Sequence, residues 1–285
     1  MPPSGPPTGS LLAATRAIPS ALDPAIVADI DARLDAVERE ERVAIGFAIE
    51  SGSRAWGFPS PDSDYDCRFV YVRAMADYVR LYPPRDVIET PMTAVLDVNG
   101  WDLQKALKLL INGNAVIIEW LTSPIVYRAH APFRSDFLAF AEKVAERNRV
   151  GLHYLHLGRR IFDKSLDGGG DVALKKIFYA LRPALAIRWL IAHPDRAIAP
   201  MNFHELRAGL DLDPALSALI DELLARKAET REMGSGPLPN PVRDAIFAAF
   251  DAAEREFSPG KPVSAGVMAE ADAFFRRWVG EFAPR

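Results

Sequence analysis

Gly52-Ser53-Arg54-Ala55-Trp56-Gly57-Phe58, followed shortly by Ser63-Asp64-Tyr65-Asp66, is the stretch whose reading decides the fold. The Gly-Ser pair closes an apolar, β-branched run, Val43 to Ile49, which predicts a strand. Arg54 to Phe58 has room for a single helical turn, and Pro59 to Ser63 reads as a loop. Asp64 and Asp66 then lead into a second apolar run, Cys67 to Arg73. Residues at i and i+2 on a strand share a face, so both carboxylates point at one site while Tyr65 points away. Two neighbouring carboxylates repel unless a cation lies between them. Mg²⁺ takes a few carboxylates together with phosphate oxygens and water. A small turn that approaches a phosphate closely, with its N–H groups opening a helical turn, supplies the complementary half. Gly52 and Ser53 are therefore read as phosphate-binding residues, with Arg54 beside them. Asp64 and Asp66 are read as metal-holding acids.

Outward from this centre, Asp23-Pro24 is an N-cap followed by proline at the first helical position, and Ile26, Ile30, Leu34 and Val37 carry helical spacing to Arg42. Met92 to Val98 predicts a third strand, Asn99-Gly100 a turn, and 102–111 and 115–121 two helices. Beyond about residue 135 the pattern is helical only, over roughly 135–164, 171–192, 214–232, 241–257 and 264–282. The fold class expected is α+β: a small mixed-sheet core followed by an all-helical C-terminal domain. The expected division is a disordered lead-in over 1–22, a catalytic domain over 23–130 and a helical domain over 131–285.

The chain has 285 residues and a formal net charge of −4. The charge is uneven: from Arg147 to Leu190, nine Lys/Arg face three Asp, a local +6 that suggests an anionic ligand. Within it, Lys175, Tyr179 and Arg182 are spaced i, i+4, i+7 and share a helical face, where a tyrosine between two cations can stack on a base while the cations hold phosphates. The one cysteine, Cys67, excludes an intrachain disulfide and fits a reducing, cytoplasmic setting. No apolar run reaches the ~18 residues of a membrane span. His153 and His156 lack a Cys or acid at ligand spacing, so no zinc site is expected.

The Gly-Ser turn followed by D-x-D resembles the DNA polymerase beta-like nucleotidyltransferase superfamily, whose pattern is hydrophobic-Gly-Ser, then [DE]-x-[DE], then a third acid on a later strand. Gly52 to Phe58, Ser63 to Asp66 and Gly100-Trp101-Asp102-Leu103 are similar to its bacterial YcgL-like branch of predicted nucleotidyltransferases. So are Asn112-Gly113-Asn114 with Glu119-Trp120-Leu121, and Lys175-Lys176 with Tyr179, Arg182 and Pro183. Asn114-Ala115 departs from the Asn-Pro of that branch. The resemblance implies two Mg²⁺ ions held by Asp64, Asp66 and a third acid, with a triphosphate resting on Gly52-Ser53. For the third acid there are two choices. Asp97 alternates with Leu96 and Val98 as a strand carboxylate should. Asp102, between Trp101 and Leu103, follows a turn signal where an Asp caps a helix. The reaction implied moves a nucleoside monophosphate from an NTP to a hydroxyl with release of pyrophosphate. The acceptor is an RNA end, a protein hydroxyl or a small molecule. The alternative is a nucleotide-binding or antitoxin-like module with the same fold and no turnover.

Overall fold

The computed structural model describes residues 15–166, 171–230 and 234–284. Residues 1–14 of the expected lead-in and the Gly168-Gly169-Gly170 loop lie outside these. Residues 15–22 are placed: Ala17 bridges Val126, Arg16 pairs with Asp31 at 2.7 Å, and Leu22 is buried.

Helix α1, Pro24–Glu41, begins where Asp23 accepts the Ala25 N–H and ends at Arg42, whose φ of 51° is left-handed. Strand β1, Val43–Glu50, runs straight into the five-residue helix α2, Gly52–Trp56. Strand β2 is Tyr65–Arg73, α3 Met75–Tyr78, β3 Val87–Glu89 and β4 Leu96–Asp102. Helices α4, Leu103–Ile111, and α5, Ala115–Thr122, lead to β5, Val126–Ala129. The sheet order is β3-β4-β2-β1-β5; β2 and β4 are parallel, and the other neighbours antiparallel. The helices that follow are α6 Ala131–Val144, α7 Arg147–Ser165, α8 Ile177–Ala192, α9 Phe203–Ala208, α10 Pro214–Glu229, α11 Asn240–Glu256 and α12 Ala265–Phe282. A small mixed sheet followed by helices is the α+β class expected.

Side-chain alternation divides the sheet between two cores. Tyr65, Cys67, Phe69 and Tyr71 of β2, with Leu96 and Val98 of β4, pack on Ile30 and Leu34 of α1. The opposite face carries Phe47, Ile49, Val70 and Val72 into a continuous core with Phe133, Tyr154, Phe178 and Phe250 of the helices. That core crosses residue 130 without interruption. Helix α12 also returns to the sheet end of the molecule, where Trp278 packs on Phe133 and Phe275 on Tyr78.

Several elements differ from the sequence reading. The third strand begins at Leu96 and continues through Asn99-Gly100, which is strand and not turn. Gly100 is there because β4 passes close to β2: a Cβ on it would stand 2.2 Å from Phe69 Cδ2. The helical run 135–164 breaks between α6 and α7 because the Glu146 carboxylate accepts the Asn148 and Arg149 N–H groups and starts a new helix. A two-residue ladder, Val172–Ala173 (β6) with Ser235–Gly236 (β7), interrupts the region expected to be all helical. Strands β3 and β5 and helices α3 and α9 are too short to leave a period.

Gly100→Ala should destabilise the protein by about 1–3 kcal/mol, the cost of overpacking a closed core. Gly280→Ala on α12, where an added Cβ meets nothing within 4 Å, should be neutral or stabilising. Urea unfolding midpoints of the two variants check this; equal midpoints would mean that the β2–β4 approach is not tight.

Candidate functional site

The site lies where β1 ends and β2 and β4 begin. Parallel pairing sets Asp66 of β2 directly opposite Asp97 of β4. Both occupy the face opposite Tyr65, Cys67 and Leu96, which pack on α1. Asp64 stands one residue before β2 and is exposed, so it belongs to the loop and not to the strand as the sequence suggested. Burial raises the Asp66 carboxyl above its usual range; Arg68 opposes this, while Asp97 and Asp64 add to it. Asp64 and Asp97 are thus each within electrostatic reach of Asp66.

Arg68 lies between two of them. Its Nη2 donates to Asp66 Oδ1 at 3.0 Å and to Asp97 Oδ2 at 2.7 Å. Asn99 turns its amide to Asp97 from the same face. Asp102, the other choice for a third acid, is at the far end of β4. It is buried, caps α4 through the Gln104 N–H at 2.7 Å, and accepts from the Tyr78 hydroxyl at 2.9 Å. Both of its roles are structural, and geometry joins Asp97 rather than Asp102 to Asp66.

Backbone and carboxylate are also fixed from β1. The Asp66 N–H donates to Glu50 Oε1 at 2.9 Å, and Ser51 N–H donates to the Asp66 carbonyl at 2.8 Å. Gly52, at φ 63°, presses against the acid: a Cβ there would lie 2.2 Å from Asp66 Oδ2. Glu50 is fully buried, receives the Tyr127 hydroxyl on its other oxygen, and is pushed up to about 8, chiefly by burial. No sequence pattern singled out Glu50; a carboxylate closing an apolar strand beside the Gly-Ser turn was the available signal.

Among the described residues no three His, Cys, Asp or Glu side chains converge tightly enough to hold a metal ion. Arg68 stands between Asp66 and Asp97 and offsets part of their charge, and Asp64 is exposed. The donor set itself, three carboxylates with no nitrogen or sulfur ligand, suits a hard cation such as Mg²⁺.

The Gly-Ser turn is organised by hydroxyls. Ser53 Oγ donates to Ser63 Oγ at 2.9 Å, as does the Ser60 N–H at 2.9 Å. Arg54 does not stand free beside the turn. It donates to the Ser63 and Asp64 carbonyls at 2.6 and 3.1 Å and stacks over Tyr65, which makes it the brace of the acid loop.

Lys175, Tyr179 and Arg182 share a face, yet descend from surface to interior. Lys175 is exposed on the 3₁₀ turn Leu174–Lys176. Tyr179 is half-buried, edge-on to Trp56 at 5.7 Å, with its hydroxyl raised by burial and by Asp66, Asp64 and Asp62. Arg182 is 2% exposed. It donates to Glu119 at 2.8 Å and twice to the Met201 carbonyl, and lies over the Trp56 ring. A guanidinium so engaged clamps the helical layer to α2, with its donors met by protein acceptors. Part of the +6 block is offset by ion pairs: Arg147, Arg149 and Arg159 pair with Glu256, Glu146 and Glu254. Cys67 is buried with its thiol raised by burial, as expected of an inert side chain.

The model of the family described as RlaP, RNA repair pathway DNA polymerase beta family, matches residues 26–277. The uncharacterised protein YcgL of Bacillus subtilis (strain 168) is 40% identical over 200 residues, covering 70% of this chain and 76% of that protein. None of the described helices is long and apolar enough to cross a membrane.

Glu50 sets a pH dependence with a definite sign. The native carboxyl keeps its proton up to about pH 8, while the unfolded one releases it near 4.5. Within that window the native state binds more protons, so this contribution is present at low pH and lost as pH rises. The melting temperature of the wild type minus that of Glu50→Gln, in metal-free buffer, should fall from pH 5 to pH 8; a flat difference would mean Glu50 is ionised in the fold. Arg182→Met should cost about 3–5 kcal/mol in unfolding free energy, because it strands Glu119 in the interior. Restoration by the double variant Arg182→Met/Glu119→Leu checks the pair, and an unchanged melting temperature in the single variant would return Arg182 to the ligand.

Proposed function

The chain belongs to the RNA repair pathway DNA polymerase beta family, and from this membership and the site geometry we propose that it is a metal-dependent nucleotidyltransferase. It moves a nucleoside monophosphate from an NTP to a hydroxyl, and pyrophosphate leaves. An RNA end is the acceptor that the family description favours. The observation that carries the reading is the in-register pair Asp66 and Asp97 on one face of a parallel β-pair, with Gly52 seated against Asp66. A purely nucleotide-binding module has no use for this acid pair.

Asp64, Asp66 and Asp97 are the residues that would hold divalent cations. What such cations supply is charge for the attacking and leaving oxygens of an in-line displacement. Arg68 bridges Asp66 and Asp97 and offsets part of their charge; a divalent cation would take its place between them. The turn at Gly52-Ser53 would meet phosphate oxygens through its backbone N–H groups, while the space of the missing Gly52 Cβ belongs to Asp66. Tyr179, held edge-on by Trp56 beside the acids, offers a ring on which a base can stack. Lys175, exposed on the 3₁₀ turn that precedes the same helix, offsets charge on the phosphates.

The test is Mg²⁺-dependent pyrophosphate release with each NTP, with and without RNA, on wild type and carboxylate variants. Asp66→Asn and Asp97→Asn should each lower the rate by more than about tenfold, or 1.4 kcal/mol of barrier, with melting temperatures in metal-free buffer nearly unchanged. Asp102→Ala should leave the folded enzyme active but cost roughly 1–2 kcal/mol of stability through loss of the helix cap. The opposite ranking would move the third acid to Asp102, and full activity in Asp66→Asn would refute the reading.

A further inference from the structure

Strand β3, Val87–Glu89, is an open edge of the sheet: among the described residues its one neighbour is β4. Their ladder is flanked by the Asp102 N–H, which donates to the Asp86 carbonyl, and by the Thr90 N–H, which donates to the Val98 carbonyl. Antiparallel hydrogen bonding alternates along a strand, so residues 86, 88 and 90 direct their backbone groups at β4 while Val87 and Glu89 turn theirs outward. An outward row of N–H and C=O groups is a template for a further strand. Proline is the usual device that blocks such pairing, and here it stands only outside the strip, at Pro83, Pro84 and Pro91. Pairing is thereby confined to residues 85–90 and not prevented.

The strip is complementary to itself about Val87. Arg85 stands as far before Val87 as Glu89 stands after it. The two side chains reach each other at 3.0 Å along the edge and are 76% and 59% exposed, so both lie on the same side of it. Open apolar side chains flank them. Among the described residues, six of the eight large hydrophobic side chains left exposed fall between positions 75 and 95: Met75, Val79, Leu81, Tyr82, Met92 and Val95. Tyr78 of α3 donates to Asp102, the last residue of β4, which puts the chain from Val79 to Asp86 at the Val87 end of β3. Met92 and Val95 lie in the connection from β3 to β4, at the Glu89 end. Tyr82 and Met92 are equally far along the chain from Val87, one before it and one after. Exposed apolar side chains gathered on one edge mark an interaction surface.

We propose that β3 pairs with β3 of a second copy of this chain, antiparallel about a two-fold axis at Val87, so that two sheets join into one. A two-fold interface requires one surface to match itself, with i meeting j and j meeting i. Arg85 then faces Glu89 of the second copy, Glu89 faces Arg85 of the second copy, and Val87 faces its own counterpart. Val87 exchanges its outward N–H and carbonyl with that counterpart as a hydrogen-bonded pair. Opposite charges directly across two strands stabilise the pairing, and like charges destabilise it. Charge therefore selects this register: an axis at Ile88 would set Arg85 against Pro91 and Glu89 against Val87. The exposed side chains of the Tyr82 end come against those of the Met92 end. A self-matching edge favours a copy of this chain over a foreign strand, which would gain the backbone bonds without the charge match. Val87 and Glu89 stand opposite Trp101 and Asn99, on the sheet face that carries Asp97, so the joined sheet continues that face into the second copy. The pairing is independent of the reaction proposed above.

Sedimentation velocity of the full chain, followed up to its solubility limit, should show a reversible monomer–dimer equilibrium. Arg85→Glu and Glu89→Arg should each weaken self-association by about tenfold, because each sets two like-charged pairs across the axis. Mixed in equal amounts, the two variants should associate with each other about as tightly as wild type, since every reversed charge then faces an opposite one. Both positions are exposed, and an unchanged circular dichroism spectrum separates loss of pairing from loss of fold. Register is read by cross-linking with diamide as oxidant. A hydrogen-bonded antiparallel pair holds its Cα atoms about 5.5 Å apart, within disulfide reach, so Val87→Cys should give a covalent dimer. Arg85→Cys, distant from its own counterpart in this register, should not, and the native Cys67 is buried. A wild type that stays monomeric at every concentration overturns the proposal. So does a dimer that neither charge variant weakens, which would lie on another face, and so does a mixture of the two variants that fails to associate. Cross-linking at Arg85→Cys but not at Val87→Cys would overturn the axis.

Discussion

A guanidinium that is almost wholly buried stays in the interior only when its charge and donors are met. Arg182 meets them with Glu119 of α5, the Met201 carbonyl ahead of α9 and the face of Trp56 in α2. Tyr154 of α7 completes the set by donating to the same Glu119 oxygen at 2.9 Å. One cation therefore joins the helical layer to the short helix that opens with Gly52-Ser53. Aromatic contacts continue the attachment: Phe58 stacks on Phe178 at 5.3 Å and meets Phe203 edge-on at 5.5 Å. The turn is positioned by the helices, and the carboxylates are positioned by the sheet. The site exists because this buried pair fixes one against the other.

Charge in the site is arranged by strand and loop, not by overall composition. The acids sit on β2, β4 and the loop before β2. Each cation near them has a distinct task. Arg68 bridges Asp66 and Asp97, Arg54 braces the carbonyls of Ser63 and Asp64, and Lys175 approaches from the helical side. The basic block counted from sequence has a different fate, since several of its arginines are matched by glutamates, two of them on α11. Coulomb attraction at ion-pair distance cancels at long range what a residue count adds up.

The parts of this molecule that were legible in the sequence are those with a short period or a local turn. Val43 to Ile49, the Gly-Ser turn and the alternation around Asp97 are of that kind. Asp97 was recognisable although the ends of its strand were misplaced, because Leu96 and Val98 face α1 wherever the strand begins. Asn99-Gly100 misled: a turn signal became a strand interior since Gly100 serves the approach to Phe69, a tertiary contact. Arg182 was rightly placed on the face with Tyr179, but helical spacing does not report depth, and the residue that shared a face with a surface lysine is interior. Glu50 was illegible for a related reason. It is an ordinary charged residue locally, and becomes notable only when Tyr127 and Asp66 are brought against it.

The glycine and the second aspartate, read as two motifs, are one contact. Gly52 has a positive φ, and its missing Cβ is the space that Asp66 Oδ2 occupies. The same aspartate is held by Glu50 at its N–H and by Ser51 at its carbonyl, so three consecutive residues of the β1–α2 junction grip a single residue of β2. Asp64 has no such hold on its side chain and is exposed. The two acids of the D-x-D pair therefore differ in kind: Asp66 is fixed before anything binds, and Asp64 is free to adjust. A side chain at position 52 would push the fixed acid away from Asp97 and close the approach to the turn at once. Turn and carboxylate have to be present together, and the ten-residue interval from Ser53 to Ser63, closed by their own hydrogen bond, is the loop that allows it.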